Sequence, residues 1–308
     1  MQVGRPSELE WEQLSGHRDG VIEFKRLLRR EDGGPTDFEF ALTRFRGPYR
    51  TPRHRHNYDQ IRIGLDDPIS YTPGRAVVPG SIGYFPEGTP YGPQEVTNDP
   101  VTAALQFGGA SGEGFVGYDA LHRGFTELAG EGTFAGGVYR RTTPDGRHVN
   151  TDRYQAVWEH LTGRPMRYAR PAYAEPVLLF PDAFRAHPVE GEPGVSTAPL
   201  GEFTGARTRL ELLRLDAGAA HVDADPSRDR ILFVLDGALD LVAEGGAVAL
   251  ERWAAVHLAP GEAAETTARG ATRVVAVGLP LLVPGTAPPV FAPADDAPSA
   301  PDREEIPA

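Results

Sequence analysis

Short apolar runs, cut at close intervals by glycine and proline, limit most strongly what this chain can fold into. "VIEFKRLL", "FEFALTRF", "ISYTPG", "RAVVPGSIGYFPEG" and "VTAALQFGG" follow one another from residue 21 to 109. Each is rich in branched and aromatic residues, and Gly or Pro interrupts most of them. With 36 glycines and 29 prolines spread along the chain, turns are available throughout. Many short strands joined by tight turns suit a sandwich or a barrel better than long helices. The texture returns in "ARTRLELLRLDAG", "RDRILFVLDGALDLVAEGG", "AVALERWAAVHLAPGE" and "ATRVVAVGLPLLV". Two similar β blocks suggest an internal duplication.

Residues 111–175 differ. Tyr118, Leu121, Phe125 and Leu128 fall at helical spacing, and so do Tyr154, Val157, Trp158 and Leu161. Asn150 or Thr151 is available to cap the second helix and Gly163 to stop it. From residue 285 the chain is rich in Pro, Ala and acid, which predicts a disordered tail. The expected division is therefore a β block over 1–110, a helical connector over 111–175, a second β block over 176–284 and a tail over 285–308.

The formal net charge is -12, which disfavours nucleic acid and anionic membrane surfaces. No apolar run approaches the roughly 20 residues needed to cross a bilayer, and the N-terminus does not read as a signal peptide. A cytoplasmic location is expected. The absence of cysteine removes disulfides, thiolate ligands and thiol nucleophiles together. A metal would have to rely on His, carboxylate, amide, phenol or water.

"RHRHNYDQIRIG", residues 53–64, concentrates the candidate chemistry. If residues 54–62 form one strand, His54, His56, Tyr58, Gln60 and Arg62 share a face and Asp59 takes the other. That face offers two imidazoles and a neutral amide, with no carboxylate.

The spacing around this stretch resembles the cupin family, and the duplication resembles a bicupin. His54-x-His56 matches the first cupin motif, and Gln60 stands where that motif carries glutamate. "GSIGYFPEGTPY" matches the second motif in spacing, with Gly80, Pro86 and Gly88 in place. Tyr91 stands there for the usual histidine and Glu95 for asparagine. In the second block Asp223 and Asp225 fall at the His-x-His positions, Arg230 at the glutamate and Ala264 at the histidine. The resemblance implies two tandem antiparallel β-barrels (double-stranded β-helices), the second without metal. There Arg230, Asp223 and Asp225 are expected to form a polar cluster in place of the site, and His257 to be a strand histidine. In the first barrel it implies one divalent transition metal held by His54, His56, Gln60 and Tyr91. Fe(II) is favoured, with Mn, Ni, Cu or Zn as alternatives.

The expected activity is a metal-dependent, dioxygenase-like oxidoreductase reaction on a small organic molecule. Tyr91 and Arg62 would serve catalysis, and Arg62, Tyr58, Tyr84 and Gln94 would contact substrate. Two alternatives stay open. One is an isomerase, cyclase or lyase with Tyr91 moving a proton. The other is a metal-free binding protein. Sheet edges and faces that need covering make a homodimer the expected assembly.

Overall fold

The structure is a computed structural model, and it describes residues 1–13, 19–32, 36–204, 207–244 and 246–281. The expected tail, 285–308, lies outside the described residues. The chain is mainly β and its strand pairings are antiparallel. In the first half the strands that build the site are β1 (Gln2–Gly4), β2 (Asp19–Arg30), β3 (Phe38–Thr51), β4 (Tyr58–Gly64), β5 (Ile82–Phe85) and β6 (Val101–Gly108). β6 pairs with both β3 and β4, and β4 pairs with β5.

Strand alternation decides what each side chain meets. Ile61, Ile63, Phe38, Phe40, Leu105 and Phe107 point to one face. There they pack against Leu212, Ile231, Phe233 and Val275 of the second half, with the Phe40 and Phe233 rings 5.3 Å apart. A single apolar core thus joins the two halves. Each large apolar side chain fully buried there contributes about 1.5–3 kcal/mol. The opposite parity lines the interior of each half. In the first half it carries Gln60, Arg62, Thr102 and Gln106 around a cavity. In the second it carries Leu213, Leu232, Val234, Leu241 and Val274, which fill the space.

Helices α1 (Tyr118–Ala129) and α2 (Arg153–Thr162) form the connector. Leu121, Phe125 and Leu128 pack with Val157 and Trp158, as the helical stripes predict. The α2 cap is Asp152, whose carboxylate accepts from the Gln155 amide at 3.1 Å; neither Asn150 nor Thr151 takes that role. Gly163 does end the helix, in the left-handed conformation at φ 66°. Between the helices stands a small sheet of Thr133–Ala135, Val138–Thr142 and His148–Asp152, which the helical expectation omits.

Sheet pairing crosses the expected division twice. β1 adds to the second half, against Ala255–His257, although it begins the chain. Gly4 is needed there, since a Cβ would lie 2.2 Å from the Leu27 carbonyl oxygen. In return β7 (Val177–Leu179), just past the expected boundary at 176, pairs with β5 of the first half.

Candidate functional site

The first barrel encloses a cavity of about 70 Å³, large enough for several waters or a small organic molecule. His54, His56, Tyr58, Gln60, Arg62, Tyr91 and Gln94 all line it. The single strand expected over 54–62 is shorter: β4 begins at Tyr58, and His54 precedes it as an isolated bridge to Tyr91. The His54 amide donates to the Tyr91 carbonyl at 2.9 Å, and the Tyr91 amide donates back at 3.0 Å. This pair of bonds brings the second motif against the first.

Tyr84 is a correction. It does not line the cavity. β5 turns Phe85 inward and Tyr84 to the inter-barrel core, where its ring lies 4.8 Å from Phe203. Its hydroxyl donates to Asp59 Oδ2 at 2.6 Å. Asp59 faces away from the imidazoles, as parity predicts, and is fully buried. It also accepts from the Glu87 amide at 2.9 Å. Burial, with the Glu87 charge nearby, pushes its carboxyl up to about 7. Glu95 stays outside, on the surface beside Arg50.

Inside the cavity the polar groups form one connected set. His56 Nε2 lies 2.9 Å from the Tyr91 hydroxyl. Arg62 donates from Nη2 to that hydroxyl at 3.0 Å and from Nε to Gln60 Oε1 at 2.7 Å. Its guanidinium stacks 4.7 Å from the Phe85 ring centroid and 5.2 Å from that of Tyr91. Among the described residues no carboxylate pairs with Arg62, and its Nη1 is buried without a hydrogen-bond partner. Tyr154 covers this end, with its ring 5.5 Å from His56 and 5.6 Å from Tyr58. Burial drives the Tyr58 and Tyr154 phenols well above their ordinary range, so both stay neutral.

Three side chains lining the cavity carry donor atoms suited to a divalent ion. His54 Nδ1 lies 2.8 Å from the Pro52 carbonyl oxygen, which can only accept, so Nδ1 carries the proton and Nε2 keeps its lone pair. Metal-binding imidazoles are commonly oriented this way. His56 Nε2 and the Tyr91 oxygen stand 2.9 Å apart, as do neighbouring donors on an ion about 2.1 Å from each. Gln60 Oε1 accepts from Arg62 Nε, as the Tyr91 oxygen accepts from Nη2, and its second lone pair keeps it a candidate fourth donor. No group of three or more His, Asp or Glu side chains placed to hold a metal occurs among the described residues, and no carboxylate lines this cavity.

Thr43, Tyr49, Thr102, Gln106 and Tyr118 also line the cavity, and the sequence reading missed them. Thr102 and Gln106 were accessible to it, as polar residues of one parity in an otherwise apolar strand. Tyr118 was not, because its helical spacing reads as packing.

In the second barrel Arg230 reaches Asp223 at 2.7 Å and Glu211 at 3.0 Å. Asp225 is not in this cluster; it accepts from Ser227 and faces Arg228 at 3.3 Å. His257 is a strand histidine, bound to Asp229 at 2.7 Å.

No protein-family profile matches the chain. No curated protein matches it either. Solved structures do. A candidate dioxygenase from Nostoc punctiforme superimposes with TM-score 0.56 at 9% identity, over 95% of this chain and 87% of that one. Salicylate 1,2-dioxygenase from Pseudoaminobacter salicylatoxidans, as a variant with gentisate, gives 0.54 at 16%, over 90% and 81%. Oxalate decarboxylase from Bacillus subtilis gives 0.53 at 11%, over 92% and 78%. The fold is a bicupin, two tandem cupin barrels in one chain.

Proposed function

We propose that the chain is a metal-dependent cupin enzyme acting on a small organic anion in its first barrel, with an oxygenase-type reaction preferred. The observation that carries the reading is Arg62. A guanidinium inside a barrel, without a carboxylate partner among the described residues, costs the fold unless an anion meets it. A substrate carboxylate or enolate would do so, through the free Nη1. His54 Nε2, His56 Nε2 and the Tyr91 oxygen would hold one divalent transition ion beside that anion, Fe(II) being favoured over Mn, Ni, Cu or Zn. Bound there, such an ion supplies a Lewis acid and, if redox-active, a centre for dioxygen chemistry. Tyr91 lies between His56 and Arg62, so its hydroxyl can hold or pass a proton at the substrate. The same arrangement could serve an isomerase, cyclase or lyase. The dioxygenases and the decarboxylase of like fold support the reading in kind, not in substrate.

One observation favours a metal-free binding protein. Arg62 already bonds both Gln60 and Tyr91, so the polar set closes without an ion. Elemental analysis of the untagged protein separates the two. The enzyme reading expects about one transition ion per chain, lost in His54→Ala and in His56→Ala. No metal in any preparation, and no binding on adding Fe, Mn, Ni, Cu or Zn, would sink it. A cytoplasmic homodimer completes the proposal, and sedimentation of the full chain tests the dimer. Among the described residues no helix is long and apolar enough to cross a membrane.

A further inference from the structure

One buried acid of the first barrel has no part in the chemistry above. Glu39 lies on β3 with the parity of Thr43, which lines the cavity, and is 1% exposed. Its register partner on β6 is Gln106, whose own partner on β4 is Gln60. Glu39, Gln106 and Gln60 therefore stand side by side across the barrel interior. Glu39 Oε2 accepts from the Tyr118 amide at 2.9 Å, in the first turn of α1. Its Oε1 is buried without a hydrogen-bond partner, and the nearest cation, Arg26 Nε, is 3.9 Å away. The Tyr118 ring closes that side of the cavity and packs 4.9 Å from Phe24. The turn is pressed onto two carboxyls, since a Cβ on Gly117 would lie 1.7 Å from Glu31 Oε1 and 3.2 Å from Glu39 Oε2.

We infer that Glu39 is a positioning residue of the candidate site: neutral, it seats the first turn of α1 and keeps Tyr118 as a cavity wall; ionised, it loosens that wall. The inference rests on the reading of this cavity as the functional one. Burial and four neighbouring groups decide the sign. Burial raises the Glu39 carboxyl, to about 7, and Glu31 and Asp119 add to the rise. The Tyr118 amide and Arg26 oppose it and do not win. Arg26 is itself engaged by Asp119 at 2.6 Å and Glu12 at 3.0 Å. Lifting the turn would return the carboxyl to water and toward its ordinary 4.5. The seated state therefore holds the proton more tightly, and opening is favoured as pH rises through 7. With those two values, linkage makes the open state roughly tenfold more populated at pH 8 than at pH 6, relative to the seated one.

Hydrogen exchange of the full chain, corrected for intrinsic rates, reads this directly. Protection of the Tyr118 and Leu121 amides, which bond Glu39 and the Gly117 carbonyl, should fall about tenfold from pH 6 to pH 8 in the native protein. Glu39→Gln should hold it high and flat, and Glu39→Ala should lower it at both pH values. Equal pH dependence in the native and Glu39→Gln proteins would overturn the inference. The exchange measurement needs neither metal nor substrate, so its failure is distinct from failure of the metal reading.

Discussion

Asp59→Asn tests the electrostatics beneath the site. Asp59 is fully buried between the Tyr84 hydroxyl and the Glu87 amide, and its carboxyl is pushed up to about 7 from the ordinary 3.8. Because the folded value is the higher, the folded state binds the proton more tightly. The penalty is absent well below pH 3.8, grows as the unfolded chain ionises, and levels off above 7. The gap between the two values corresponds to about 4 kcal/mol at the plateau, of which roughly 2.5 develops between pH 5 and 8. Asparagine removes the titration. Tyr84 can then accept from the new amide while the Glu87 amide still finds an oxygen, so the lost geometry costs about 1 kcal/mol at either pH. Urea unfolding, followed by tryptophan fluorescence of the buried Trp158, gives both stabilities. The variant should gain about 2.5 kcal/mol on the native chain from pH 5 to pH 8. A constant difference across that range would refute the reasoning, since a hydrogen-bond loss alone does not titrate there.

Arg62→Gln should weaken binding of a small carboxylate probe such as benzoate by about 10- to 100-fold, the worth of a charge-assisted hydrogen bond, as read by calorimetry. Tyr84→Phe should leave that binding within about twofold, because the ring is outside the cavity, while lowering stability by roughly 1–3 kcal/mol. Arg230→Met should destabilise by about 3–5 kcal/mol in urea melts, because Asp223 and Glu211 lose the cation between them. Adding Asp223→Asn should recover part of that loss.

The sequence carried the site further than the fold's wiring. Tyr58, Gln60 and Arg62 could be put on one side because period-two alternation is local within β4, and His54 and His56 reach the same cavity although they precede that strand. The same rule failed at Tyr84. "IGYF" is buried on both faces, so its composition does not show which residue turns inward. The β1 and β7 exchange was invisible for another reason. Pairing Gln2 with His257 brings together residues at opposite ends of the chain, and no local period encodes such a partner. Gln60 as a ligand rested on strand parity and motif position together. Arg62, two residues on and on the same face, was in view, but its bond to the amide oxygen depends on side-chain geometry.

Gln60 and Arg230 occupy equivalent motif positions, and the contrast between them explains how the halves differ. In the second barrel the position holds a cation, Asp223 and Glu211 enclose it, and Arg209 stands 3.6 Å from Glu211, so the charge balances within the chain. The interior around that cluster is packed with Leu and Val. In the first barrel the cation is displaced two residues along the strand, to Arg62, and meets only neutral groups: an amide, a phenol and two aromatic faces. A balanced cluster costs less to seal than a lone charge, whereas the unbalanced one is left beside a cavity with room for an anion. Local charge balance, more than the loss of any one ligand, thus separates the barrel with the packed interior from the one with the cavity.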